Sequence, residues 1–129
     1  MNKILVEVSV GELLDKITIL EIKKKKIKNI EKLNLINDEY NILKEQLNKN
    51  VKSDTKINEL FASLKQINEK LWLIEDDKRM CEKKSDFGEK FVKLSRDVHF
   101  LNDERSKIKL EINIYTGSKI KEIKQYTNY

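Results

Sequence analysis

Apolar residues recur at steps of three and four over most of the chain, the spacing of amphipathic helices. The exception is the start. Residues 3–8 carry Ile4, Leu5, Val6 and Val8 in a short β-branched run that reads as a strand ended by Ser9. Ser9 and Glu12 fit a capping box, so a helix opens there, and its pattern continues to about residue 48. Its phase changes on the way. Val10, Leu13, Ile17, Leu20 and Lys24 share one face, whereas Ile36, Tyr40, Leu43 and Leu47 share a face roughly 140° away. The change predicts a kink or break within residues 28–33, or two halves that pack against different partners. Ile19 and Ile22 lie off the first face, and a helix apolar on two sides needs two neighbours.

A polar turn at residues 48–54 precedes a second helix over 54–83, striped by Ile57, Leu60, Leu64, Ile67, Leu71 and Ile74. Asp86 and Glu89 read as a capping pair for a third helix over 87–115, with Phe91, Leu94, Val98, Leu101, Ile108 and Ile112 as its stripe. Gly117 reads as its C-cap. The tail, residues 116–129, fits a short helix or an edge strand equally well. The expected fold is therefore mainly α: one domain over residues 1–129, an antiparallel bundle of three long helices with a short N-terminal strand. A lone strand leaves its edges unpaired, so Ile4–Val8 must pair with the tail or with a second copy. That need, with Ile19 and Ile22, predicts a homodimer.

Composition supports helices: 129 residues hold 38% charged residues, 3 glycines and no proline. No apolar run reaches membrane-spanning length and no signal peptide is visible at the start, so a cytoplasmic protein is expected. A single cysteine, Cys81, excludes an intrachain disulfide and suits a reducing compartment. The net charge of +5 invites a nucleic-acid reading. However, 24 Lys stand against 3 Arg, beside 16 Ile and 12 Asn, the residues that AT-rich codons supply. Coding bias accounts for the charge more simply than phosphate binding does.

Polar residues at core phase carry the remaining information, because burying them is costly without partners. Arg105 sits within the apolar stripe of the third helix, flanked by Asn102 and Lys109. On the second helix, Asn68, Trp72, Glu75 and Arg79 form one ridge at steps of four, three and four. Antiparallel register places Asn68 near Asn102 and Arg105, Trp72 near His99, and Arg79 near Glu21 and Lys24. Glu75 is expected to hold Arg79 or Arg105. Arginine in a lysine-rich chain points to bidentate bonding of carboxylate or phosphate. Arg79, Arg105, Lys109, Asn68, Trp72, Glu75 and Asn102 are thus candidates for a pocket between helices taking a small anionic or nucleotide-sugar-like ligand. The alternative is a buried polar network that fixes helix register.

Other chemistries find little support. One histidine, His99, is too few for a di-iron bundle site, and one Cys with one His is too few for structural zinc. Nothing places a nucleophile beside His99, and there is no glycine-rich phosphate loop. Glu12, Asp15, Glu21, Glu75 and Asp76 lack the paired acidic helices of all-helical nucleotide pyrophosphohydrolases. No metal or cofactor is expected, and whether any reaction is catalysed is left open.

The stretch VSVGELLDKITILEIK (8–23) resembles the opening of an uncharacterised family of small bacterial and viral helical proteins, catalogued as a domain of unknown function. The likeness continues through INEKLWLIED (67–76), Asp86-Phe87-Gly88, LNDERSKIK (101–109) and Thr116-Gly117-Ser118. It departs at residues 122–126, where a second acid is expected after Glu122. A second uncharacterised family, found near surface-polysaccharide genes, shares the Leu71-Trp72-x-x-Glu75-Asp76-x-x-Arg79 pattern. The resemblance implies a cytoplasmic helical protein linked to sugar or cell-surface metabolism, and assigns no catalytic residue.

Overall fold

The computed structural model describes residues 1–128; Tyr129, the last residue of the tail, lies outside the described residues. Among the described residues the chain is mainly α, with four helices rather than three: α1 (Val10–Lys26), α2 (Ile30–Asn50), α3 (Thr55–Lys83) and α4 (Glu89–Thr116). The phase change in the first apolar pattern is a true break. Ile27 is extended and ends α1, and the Asn29 side chain accepts from the Lys32 amide at 3.0 Å to start α2. Without glycine or proline, a second N-cap suffices to restart the helix in a new phase.

The other helix ends follow local chemistry too. Ser9 Oγ accepts from the Glu12 amide at 3.0 Å, and Asp54 Oδ1 from the Ile57 amide at 2.8 Å. Gly117 adopts φ 65° as the left-handed C-cap of α4. The expected Asp86–Glu89 capping pair does not form. Ser85 turns through φ 54°, Asp86 Oδ1 takes the Gly88 amide, and α4 begins at Glu89 with no side-chain cap.

The break makes α1 the centre of the fold. It packs against α2, α3 and α4, while α2 touches α1 and buries no residue of its own. Leu14, Leu60, Leu64 and Ile112 form the core, with Val10, Leu47, Phe61 and Ile108 packed around it. The two sides of α1 are therefore covered within one chain. Ile22 is only 2% exposed, so Ile22 is no reason for a second subunit.

The expected N-terminal strand is absent. Among the described residues there is no strand, and Ile4, Leu5 and Val6 are 89%, 87% and 74% exposed. A strand exists only by pairing, and no other described segment lies alongside this one as a strand. The tail, expected as helix or edge strand, is irregular from residue 118 to 128. It is tied to the body by Ser118 Oγ, which accepts from the Val10 amide at 3.2 Å.

Candidate functional site

On the inner side of α1, Gly11, Asp15, Thr18 and Ile22 lie at steps of four, three and four, and all four are buried. Asp15 is 1% exposed and is the hub of a polar network. Arg105 of α4 grips it with two bonds, Nε to Oδ1 at 2.9 Å and Nη2 to Oδ2. Asn68 Nδ2 of α3 donates to Asp15 Oδ1 at 2.9 Å and to Thr18 Oγ1 at 2.8 Å. Thr18 Oγ1 donates to the Asp15 carbonyl at 2.7 Å. One acid thus joins three helices, and among the described residues no buried side-chain N or O lacks a partner.

A second set of charges lies beside the first. Lys109 Nζ donates to Glu12 Oε2 at 2.7 Å and to Glu122 Oε2, in the tail, at 3.1 Å, and stands 3.8 Å from Asp15 Oδ2. Lys124 Nζ reaches Glu122 Oε1 at 2.9 Å. Burial works against the Lys109 ammonium, but hydrogen bonds to Glu12 and Glu122 outweigh it and leave its pKa above the ordinary lysine value. The bond from Lys124, then that from Lys109, holds the Glu122 carboxyl below its usual value. The hydrogen bonds to Asp15 raise the Arg105 pKa against the opposing effect of burial.

Arg105 stands between two grooves. The larger, of about 880 Å³, is lined by Glu12, His99, Asn102, Asp103, Ser106 and Lys109 with the tail residues Glu122, Lys124, Tyr126 and Thr127. The other, of about 510 Å³, is lined by Ile19, Ile22, Asn68, Leu71, Trp72, Glu75, Asp76 and Arg79. The Arg105 side chain is 29% exposed, and its Nη1 has no partner among the described residues. Among those residues no three His, Cys, Asp or Glu side chains are grouped to hold a metal ion.

The sequence-derived candidates divide accordingly. Asn68 and Arg105 meet, on Asp15; Asn102 and Lys109 join Arg105 on the larger groove. Trp72 and His99 line different grooves. Among the described residues no bond or ion pair joins Arg79 to Glu21. Glu21 instead accepts from Lys65 at 2.9 Å and Tyr40 at 3.2 Å, and Lys24 lies over the Tyr40 ring. The reason is the break: α2 folds back and covers that side of α1. Among the described residues Arg79 reaches only Glu75, at 3.8 Å, with side chains 80% and 53% exposed. Glu75 therefore holds Arg79, not Arg105, and in solvent. Glu75→Gln should change unfolding free energy by less than about 0.5 kcal/mol in urea denaturation, the range of surface changes. A loss above 2 kcal/mol would show that Glu75 is part of the buried network after all.

Several members of the site were not singled out from sequence, among them Asp15 as hub, Thr18, Glu122 and Lys124. A signal for the first two exists, since Gly11, Asp15 and Thr18 interrupt an otherwise apolar face at helical steps. Glu122 carries no comparable signal, because the tail has no periodicity to place it.

The profile of a family described as "Family of unknown function (DUF6165)" matches residues 4–129. The chain belongs to this family. The match spans every residue of the network, from Glu12 to Glu122, and brings no activity with it. No curated protein and no solved structure matches the chain.

Proposed function

We propose that the larger groove binds a small anionic or nucleotide-sugar-like ligand, with Arg105 and Lys109 as its anion-binding groups. The observation that carries this reading is the state of Arg105. Its Nε and Nη2 are committed to buried Asp15, while no described residue bonds Nη1 and the side chain borders the groove. A guanidinium fixed on one edge presents its other edge without further loss of rotamer freedom. Lys109 adds a cation held in place by Glu12. Asn102, Asp103 and Ser106 supply groups for hydroxyls, and His99 and Tyr126 supply rings. A volume of about 880 Å³ lies within the usual range for small-molecule sites.

A thermal-shift series with inorganic phosphate, a nucleotide and a nucleotide sugar tests it. A ligand at 100 times its dissociation constant should stabilise the chain by about 2.7 kcal/mol. Ser106→Phe should fill the groove and abolish the shift while sparing the ion network. Arg105→Lys should lose most of the shift, since lysine offers no second edge. A full ligand response in both variants would sink the reading.

One observation favours a second reading, a register-setting network in a structural or interaction protein. Every cation of the site already has an acid beside it: Arg105 has Asp15, Lys109 has Glu12 and Glu122, and Lys124 has Glu122. This reading expects no ligand response at all. Nucleic-acid binding through the lysine excess is the third, and salt-dependent association with DNA or RNA would support it. Among the described residues no helix is long and apolar enough to cross a membrane. A cytoplasmic location is proposed on the lone, buried thiol of Cys81.

A further inference from the structure

The segment before α1 combines three properties rarely left together: β-branched, apolar and exposed. Residues 1–8 have no regular structure, and Ile4, Leu5, Val6 and Val8 all face solvent. In extended form Ile4, Val6 and Val8 fall on one face, and Lys3, Leu5 and Glu7 on the other. The tail, the other candidate partner within the chain, is engaged elsewhere through Ser118 and Glu122.

The segment is self-complementary in one register. In an antiparallel pairing of two copies centred on Leu5, Lys3 lies opposite Glu7 of the second copy, Ile4 opposite Val6, and Leu5 opposite Leu5. The twofold repeats each contact, so the charge pair occurs twice. Centring instead between Leu5 and Val6 sets Ile4 against Glu7 and Lys3 against Val8. Centring on Val6 sets Leu5 against Glu7. Parallel pairing sets Lys3 beside Lys3. Opposite charges directly across a ladder stabilise it and like charges destabilise it, so the Leu5-centred antiparallel register is selected.

We propose that residues 3–8 are a docking strand for a second copy of this chain, pairing antiparallel about a twofold axis through Leu5. The pairing bonds the backbone groups on one edge of the segment, those of every second residue, and brings the Ile4–Val6–Val8 rows of both copies onto one face. It is independent of whether the groove binds a ligand.

Sedimentation of the full chain over a concentration series should show a monomer–dimer equilibrium. Lys3→Glu and Glu7→Lys, each setting like charges opposite one another twice, should each weaken association about tenfold. The double charge swap, Lys3→Glu with Glu7→Lys, should restore it. Leu5→Cys should yield a disulfide-linked dimer on mild oxidation. Val6→Cys should not, because Ile4 and not Val6 lies opposite it, and two Cα atoms more than about 7 Å apart cannot be bridged. Cys81 is 3% exposed and does not compete. The substitutions lie outside the helices, so unchanged helical circular dichroism verifies that each variant is folded. A monomer at every concentration, single charge reversals without effect, a double swap that fails to rescue, or no cross-link through Leu5→Cys would each overturn the proposal.

Discussion

Asp15→Asn should destabilise the chain by about 3 kcal/mol, because it removes the one charge that faces Arg105 from within the core. The shape is nearly kept, so a cavity is not the cause. The loss comes from Arg105, whose side chain is only 29% exposed and which would keep no bonded acid, only the weaker pull of Glu12 and Glu122. Lys109, 3.8 Å from the same carboxylate, would also lose attraction. Arg105→Leu should cost a comparable amount for the mirror-image reason: the Asp15 carboxylate, 1% exposed, keeps its burial and loses its bidentate partner. A single change at either end is therefore never neutral here, even in a network that only fixes register. Joint replacement of both by leucine is the informative control, since well-packed apolar pairs often equal or exceed a buried ion pair. In a double-mutant cycle by urea denaturation the two changes should be strongly non-additive. A loss below 1 kcal/mol in Asp15→Asn would mean that the pair is as weak as one on the surface, and the hub role would fail.

Gly11→Ala should destabilise by about 1–3 kcal/mol, although alanine is the better helix former by up to about 1 kcal/mol. A Cβ at this position would lie 2.5 Å from the Lys109 carbonyl oxygen and 3.0 Å from Asn113 Oδ1. The first obstacle is backbone, so α4 itself must move. The Gly11 amide also donates to Asn113 Oδ1 at 2.7 Å, a bond that depends on the same close approach. Moving α4 outward would loosen Arg105 on Asp15 and Lys109 on Glu12, which lie along the same helix. Gly88→Ala is the contrast: its Cβ would meet Asp86 Oδ1 at an ordinary 3.5 Å. Thermal or urea unfolding of the two variants should therefore show a loss at Gly11 and little change at Gly88. Equal behaviour would show that the α1–α4 approach is not tight.

Local periodicity and capping chemistry were enough to place the helices and most of their ends. Caps such as Ser9, Asp54 and Gly117 act on amides and carbonyls within a few residues, so their effect is legible locally. The phase change between Lys28 and Leu33 also announced the break, because a rigid helix cannot turn its apolar face by 140° without one. Arg105 was conspicuous for a similar reason: a guanidinium at core phase must have a partner. Which partner was a matter for tertiary structure. Asp15 lies 90 positions away and meets Arg105 only because α2 folds back and leaves the inner face of α1 to α3 and α4. The same fold-back sets direction. Leu14 packs with Leu64, Asp15 and Thr18 bond Asn68, and Ile19 and Ile22 share a groove with Trp72, so α1 and α3 run in the same sense. A continuous first helix would have run antiparallel to α3 and brought Arg79 to Glu21. Local periodicity says which face of a helix is buried, but not which neighbour buries it. That choice rests on the summed packing of all four helices, which decided both the acid beneath Arg105 and the tail carboxylate beside Lys109.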